Sequence, residues 1–408
     1  MTAREYPVFT VTPKAERSLR VGHPWVYGEE VTAVEGAYQN GDMVDVVSNK
    51  GRYLGTGWVN DHSKIRVRII SRNANDTFDE AFFRRRVCYA LNYRKTVMGP
   101  VDYRCCRLIF GEADQFPGLT VDRFENILVT QVLSLGMERR KDWVYRALVE
   151  LLREDGEQID AIYERNDVAI RTLEVLEQGK GFYQMEGLRT DLSGHVTITE
   201  NGIKYDVDYM EGQKTGFFLD QKYNRQAAAK LARGRRVLDC FTHTGAFALN
   251  AAAAGAKHVT AVDVSAFALE LAAENGKRNG LTNLDYKCAD VFDLLTEMAK
   301  EKKCDYDYII LDPPAFTKSR ATAKNAYHGY KEINRKAMRL LPRGGYLATC
   351  SCSHFMTDEM FRKMLQEAAL DAGVTLRQIE ARQQAPDHPI LPGVPETDYL
   401  KFYLLQVV

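Results

Sequence analysis

From about residue 196 onward the sequence alternates short apolar runs with amphipathic segments, and that alternation restricts the fold more than any other feature. Strands are expected over 236–240, 258–263, 284–290, 306–312 and 345–349, and helices over 247–256, 266–279, 293–302, 330–341 and 358–372. Strand, helix, strand repeated in this way builds a parallel sheet through right-handed crossovers, with helices covering both faces. The expected fold is therefore α/β and Rossmann-like, with ligands bound at the carboxyl ends of the strands.

Those carboxyl ends are acidic. Asp239, Asp263 and Asp290 close three consecutive strands. The first loop, Asp239-Cys-Phe-Thr-His-Thr-Gly245, holds a single glycine, so it is not the G-x-G-x-x-G turn that brings a pyrophosphate onto a helix N-terminus. S-adenosylmethionine, an adenosine cofactor without pyrophosphate, suits such a loop. Asp263 stands where an acidic residue hydrogen-bonds ribose hydroxyls, and Asp290 with Val291 can take the adenine edge and face. Phe241, Thr242, Gly245 and Ser265 complete the candidate cofactor set. Any one of these aspartates also reads as a helix N-cap, but three at consecutive strand ends are harder to assign to capping.

The fourth strand ends in Asp312-Pro-Pro-Ala-Phe316. Pro313 and Pro314 fix the backbone there, so the Asp312 carboxylate is held toward a ligand, and a flat ring could stack on Phe316. Alone, Asp-Pro-Pro-aromatic favours methylation of an exocyclic amine. The fifth strand then runs into Thr349-Cys-Ser-Cys-Ser353. Carbon 5 of a pyrimidine is a poor nucleophile until a thiolate adds at carbon 6, and an amine methyltransferase needs no such cysteine. At most one of Cys350 and Cys352 is expected to aim at the acceptor.

These segments carry a resemblance. Asp239 to Gly245, Asp263, Asp290 and Asp312 to Phe316 resemble motifs I to IV of the class I methyltransferases. Gly22-His-Pro-Trp-Val-Tyr27, Gly111-Glu-Ala-Asp114, Pro117-Gly-Leu-Thr-Val-Asp122, Lys214-Thr-Gly-Phe-Phe-Leu-Asp-Gln221, Ser351-Cys-Ser353 and Asp387-His-Pro389 extend the likeness to the whole chain. It is similar to the bacterial methyltransferases that carry a PUA domain and make 5-methylcytosine in large-subunit (23S) rRNA. The resemblance implies a small β-barrel PUA domain, a middle α/β domain and a seven-stranded, mostly parallel catalytic sheet. It aligns the family's Ser-Cys-Ser with Cys352 as nucleophile, and it lays Phe217 and Asp220 over the cofactor. For the group that removes the carbon-5 proton, Asp312 is one candidate. Related uracil-5 methyltransferases have a His and a Glu in a comparable tail, which adds His388 and Glu396.

The N-terminal half is organised differently. Turn signals separate short β-like segments up to about Ser71, and residues 1 to 110 hold 17 Lys and Arg against 12 Asp and Glu in a chain of zero net charge. In the strand 64–70, Lys64, Arg66 and Arg68 share one face and are candidate RNA backbone contacts, although most such faces are merely solvated. An amphipathic helix over 78–98 carries Arg84, Arg85, Arg86, Arg94 and Lys95 as an ordinary polar side. Strands at 127–133 and 161–163 with a helix near 141–153 make a small α/β domain, and 177–194 reads as a linker. The expected domains are 1–73 (PUA-like), 74–190 (middle) and 191–408 (methyltransferase). With 45% hydrophobic and 27% charged residues and no apolar run long enough for a bilayer, a soluble, cytoplasmic protein is expected, with no secretory signal at the N-terminus. Eight cysteines without a C-x-x-C pair read as free thiols, and no metal site is expected. The expected partner is large-subunit rRNA, protein-free or assembling, with no membrane; a homodimer is allowed. Three alternatives stand beside the cytosine reading: an rRNA guanine exocyclic-amine (N2) methyltransferase, a small-molecule methyltransferase, and a non-catalytic RNA-binding assembly factor.

Overall fold

The computed structural model describes residues 5–301, 304–317 and 319–408. The chain divides into two compact units: residues up to 198 with 207–219 and 386–397, and residues 199–206 with 220–385 and 398–408.

The N-terminal unit opens with β1 (Val8–Val11), α1 (Pro13–Arg20), β2 (Trp25–Tyr27), β3 (Val31–Glu35), β4 (Met43–Ser48), β5 (Tyr53–Val59) and β6 (Ile65–Ser71). The strands form one sheet in the order β2-β6-β5-β4-β1-β3, and Phe9, Val11, Leu19, Val26, Val46 and Val67 are buried in its core. Helix α1 starts where Thr12 Oγ1 accepts the amide of Ala15 at 3.3 Å and Pro13 occupies the first turn. A second layer follows: α2 (Glu80–Val97), β7 (Cys105–Phe110), β8 (Leu119–Phe124), β9 (Ile127–Val132), α3 (Leu135–Glu138), α4 (Lys141–Glu154), β10 (Ala161–Arg165) and β11 (Lys180–Phe182). Its sheet runs β11-β10-β9-β8-β7, and α4 is the crossover between parallel β9 and β10. The basic side of α2 is largely paired within the unit: Arg84 with Glu154, Arg85 with Asp76, Lys95 with Asp155. Arg94 is fully buried, pairs with Asp114 and donates to the carbonyl of Asp387 at 2.8 Å.

A two-stranded hairpin follows, β12 (His195–Glu200) and β13 (Ile203–Asp208). The second unit then contains α5 (Lys222–Ala229), β14 (Arg236–Cys240), α6 (Ala246–Ala253), β15 (His258–Asp263), α7 (Ala266–Arg278), β16 (Leu284–Cys288), α8 (Val291–Glu301), β17 (Tyr308–Leu311), α9 (Ala323–Leu340), β18 (Tyr346–Ser351), α10 (Asp358–Ala372), β19 (Leu376–Arg382) and β20 (Lys401–Val407). The sheet order is β16-β15-β14-β17-β18-β20-β19, and β20 runs antiparallel to both its neighbours. Strand order reverses between β14 and β17, which opens a crevice at their carboxyl ends. Asp239 and Asp312 stand on either side of that point, with the Asp312 amide 3.4 Å from the Cys240 carbonyl.

The expected elements are present with shifted ends. Helix α8 begins at Val291 because Asp290 leaves the strand to cap it; the last residue of the expected helix, Lys302, lies outside the described residues. Helix α9 starts seven residues before the expected 330. No helix among the described residues is long and apolar enough to cross a membrane.

Candidate active site

At the carboxyl end of β14 the loop to α6 is tight. Phe241 and His243 both adopt left-handed backbone (φ 63° and 51°), a conformation that bulky side chains rarely take and that concentrates at functional loops. Gly245 follows at φ 85°, where an added Cβ would also meet Ala272 at 3.0 Å. Asp239 is fully buried; its Oδ2 accepts from Thr242 Oγ1 at 2.5 Å, and its Oδ1 has no protein partner among the described residues. Burial pushes its carboxyl up to about 7, with Thr242 pulling the other way. Asp263 accepts the amides of His243 and Ser265, both at 2.9 Å, and so fixes the loop from the neighbouring strand. Beside it Val264 and Phe267 are exposed, an apolar pair that sequence periodicity did not single out. Ser265 caps α7 through Ala268, and Asp290 caps α8 through the amides of Phe292 and Asp293. Val291, behind that cap, is buried. An orphaned carboxylate oxygen, a strained loop and an apolar ledge beside an acidic strand end fit an adenosyl ligand. Asp239, Asp263 and Asp290 would hold it there.

The buried Asp239 sets a pH dependence. A carboxyl raised from near 4 to about 7 stabilises the fold fully below pH 4, and that contribution is lost as pH rises through 7. Asp239→Asn is therefore expected to gain on the wild type, in thermal melts of ligand-free protein, by up to about 4 kcal/mol between pH 4 and pH 8. A difference that stays flat across that range would contradict the assignment.

The acceptor side is built from β17, β18 and the segment entering α5. Asp312 Oδ1 accepts from Gln221 Nε2 at 3.0 Å, and Gln221 in turn accepts from Asn224 at 2.7 Å. Burial raises the Asp312 carboxyl to about 6; Arg225 opposes this and Asp220 reinforces it. Arg225 is itself buried in an ion pair with Glu200 at 2.7 Å. Asp220 is buried and accepts from Tyr399 at 2.6 Å. Pro313 is buried and Pro314 exposed. Phe316 has its ring 4.5 Å from Tyr330 and 5.8 Å from Phe292, so one side of it is already packed.

The two cysteines correct an expectation. Cys350 bears electrostatically on the Asp312 carboxylate, and Cys352 Sγ lies 3.9 Å from the Pro313 carbonyl, so both approach the Asp312-Pro313 segment. The reason is spacing: the two stand two residues apart where β18 ends, and such residues tend to the same side of an extended backbone. Their environments differ instead. Cys350 is fully buried in the core, and burial together with Asp312 holds its thiol well above the usual range. Cys352 is half-buried, just past the end of β18. Lys401, which the sequence reading passed over, is buried beside it and donates from Nζ to the Ser353 and Tyr399 carbonyls at 2.7 and 2.8 Å.

Other candidates fall in the N-terminal unit. Glu396 lies 3.2 Å from His23 Nε2 and, with Trp25, Phe110 and Glu112, lines a pocket of about 210 Å³. His388 is buried, 2.9 Å from Asp387 and packed on Phe110. Phe217 is buried there as well, while Thr215 donates to Asp122 at 2.6 Å. Of the basic strand, Arg66 is tied to Asp61 and Tyr38, Arg68 is drawn inward to Glu174 and Glu112, and Lys64 is exposed.

Residues 9–72 match the PUA-like domain family, and residues 151–405 match the S-adenosylmethionine-dependent methyltransferase family. Along nearly its full length the chain is 42% identical to ribosomal RNA large subunit methyltransferase I of Aeromonas salmonicida, over 95% of this chain and 96% of that protein. It is 40% identical to the protein of the same name from Pseudoalteromonas atlantica, over 98% and 99%. The chain belongs to this family of S-adenosylmethionine-dependent methyltransferases. Its fold matches a methyltransferase structure from Streptococcus mutans with a TM-score of 0.81 at 22% identity, covering 98% of this chain and all of that one. The chain thus carries a PUA-like domain at residues 9–72 and a class I S-adenosylmethionine-dependent methyltransferase fold.

Proposed function

We propose that the enzyme methylates carbon 5 of a cytosine in large-subunit rRNA through a covalent adduct on Cys352. The observation that carries this reading is the pairing, on one strand end, of an accessible Cys352 with the Asp312-Pro313 segment, while Cys350 is kept inert by burial. When bound, S-adenosylmethionine supplies an electrophilic methyl group. Cys352 thiolate adds to carbon 6 of the base, forming the S–C6 bond and moving the ring electrons to carbon 5, which becomes nucleophilic. After carbon 5 is methylated, the Asp312 carboxylate takes its proton, the C5=C6 bond reforms and the thiolate leaves. Asp312 suits that role because a carboxyl raised to about 6 is a stronger base than an ordinary one. Glu396 is engaged with His23.

The substrate class follows from the relatives, whose names assign them to large-subunit rRNA, and from the PUA-like domain. Base chemistry of this kind needs an unstacked nucleotide, so protein-free or assembling rRNA is the expected form. Within the basic strand Lys64 is the residue placed to meet a phosphate. Lys64→Ala is expected to reduce the slope of log affinity for RNA against log salt by about one, leaving sequence preference unchanged. An unchanged slope would remove Lys64 from the interface.

The guanine-amine alternative rests on the Asp312-Pro-Pro-Ala-Phe316 motif, and it needs no thiol. Mass spectrometry of nucleosides from the rRNA of a deletion strain separates the two. Loss of one 5-methylcytosine supports the proposal; an intact cytosine profile with a missing methylguanosine would overturn it.

A further inference from the structure

We propose that Lys401 is a positioning residue for this reaction, its buried ammonium serving as the counter-charge that keeps Cys352 as thiolate. The inference rests on the reading of Cys352 as nucleophile and concerns how that thiol is activated.

The geometry starts from the antiparallel ladder between β18 and β20, which pairs Ser351 with Lys401. Cys352 follows directly. Lys401 is 4% exposed, and its Nζ donates to the carbonyl of Ser353, the residue after Cys352, and to that of Tyr399. Both bonds go to neutral oxygens, so the ammonium is anchored at the turn carrying the thiol without being neutralised by its anchors. Among the described residues, the titratable groups that act on it electrostatically are Cys352, Asp398 and Asp358. Both carboxylates are engaged elsewhere: Asp398 accepts from Gln383 at 3.2 Å, and Asp358 accepts from Tyr403 and pairs with Arg362.

A buried lysine that forms no ion pair among the described residues is costly, and burial pulls Lys401 down to about 8, with Cys352, Asp398 and Asp358 pushing the other way. That cost has a use if the thiolate is the missing anion. The contrast with Cys350 supports this: it lies two residues earlier on the same strand, beside the Asp312 carboxylate, and its thiol is held up instead. In the adduct cycle the ammonium keeps its proton throughout. The sulfur lone pair forms the S–C6 bond, and the same pair returns to sulfur on elimination, facing Nζ again.

A purely structural lysine would serve the two carbonyls equally well, so the test must separate charge from hydrogen bonding. In the full-length protein, the pH dependence of Cys352 alkylation by iodoacetamide is followed by peptide mass spectrometry. Lys401→Gln keeps a donor and loses the charge; it is expected to raise the alkylation midpoint by about one pH unit or more, slowing alkylation roughly tenfold at neutral pH. Lys401→Arg should shift it less. An unchanged midpoint in Lys401→Gln would overturn the proposal. If that variant does not fold, the reciprocal coupling is read with Lys401 in place: Cys352→Ser should lower the titration midpoint of Lys401 Nζ in nitrogen NMR, and an unmoved midpoint overturns the proposal equally. Neither measurement involves methyl transfer, so an active Cys352→Ala enzyme, which would sink the nucleophile assignment, is distinguishable from failure of the Lys401 inference.

Discussion

Cys352→Ala is expected to reduce methyl transfer by about four orders of magnitude or more, while S-adenosylmethionine binding in calorimetry stays intact. The size of the effect follows from the chemistry: without the S–C6 bond, carbon 5 has no electron density to offer the methyl group. Cys350→Ala is expected to stay within about tenfold of the wild type. Its sulfur is buried in the core with Phe402 and Ala348, which is not a bond-making role. The pair of variants is informative because Cys350 in β18 and Cys352 just past its end both approach the Asp312-Pro313 segment and differ mainly in burial. An active Cys352→Ala, or a dead Cys350→Ala that still folds, would reverse the assignment.

The second large effect is at Asp312. Asp312→Asn is expected to lower kcat by about 10²–10⁴-fold with a smaller change in KM, the range for removal of a general base. Two further signatures separate a base from a residue that only holds the cytosine amine. A carboxyl raised to about 6 must be ionised to take a proton, so wild-type kcat should fall as pH drops through about 6. That limb should vanish in the variant. Because thiol addition and methylation precede proton removal, the variant should also accumulate a covalent protein–RNA species on unmodified rRNA. If Asp312 merely orients the base, activity falls without any such species.

Much of the catalytic fold was legible because strand and helix periodicities alternate cleanly after residue 236, and because the acidic strand ends lie where a doubly wound sheet binds ligands. The last two strands were harder to read. β19 and β20 pair antiparallel at one side of the sheet across a connecting loop with four prolines, and no α-helix between them announces a crossover. Lys401 was lost with β20, since a lone lysine at a strand start looks like any solvated residue until the ladder places it beside Ser351. Gln221 has no local signature, because its contact with Asp312 spans 91 positions. Asp290 carried both meanings that its position allows, and the structure shows the cap. The arginines Arg66 and Arg68 illustrate the opposite limit. Alternation placed them on one face, but only the fold reveals that Asp61, Glu112 and Glu174 meet them there.

The covalent route is tested most directly by trapping. Large-subunit rRNA transcribed with 5-fluorocytidine carries fluorine where the carbon-5 proton should be, and no base can remove it. Incubation with the enzyme and S-adenosylmethionine should leave a denaturation-stable protein–RNA complex, with a methylated fluorocytosine attached to the Cys352 peptide. Turnover of unmodified rRNA with no stable complex on the fluorinated RNA, or a complex attached to any other residue, would contradict the mechanism.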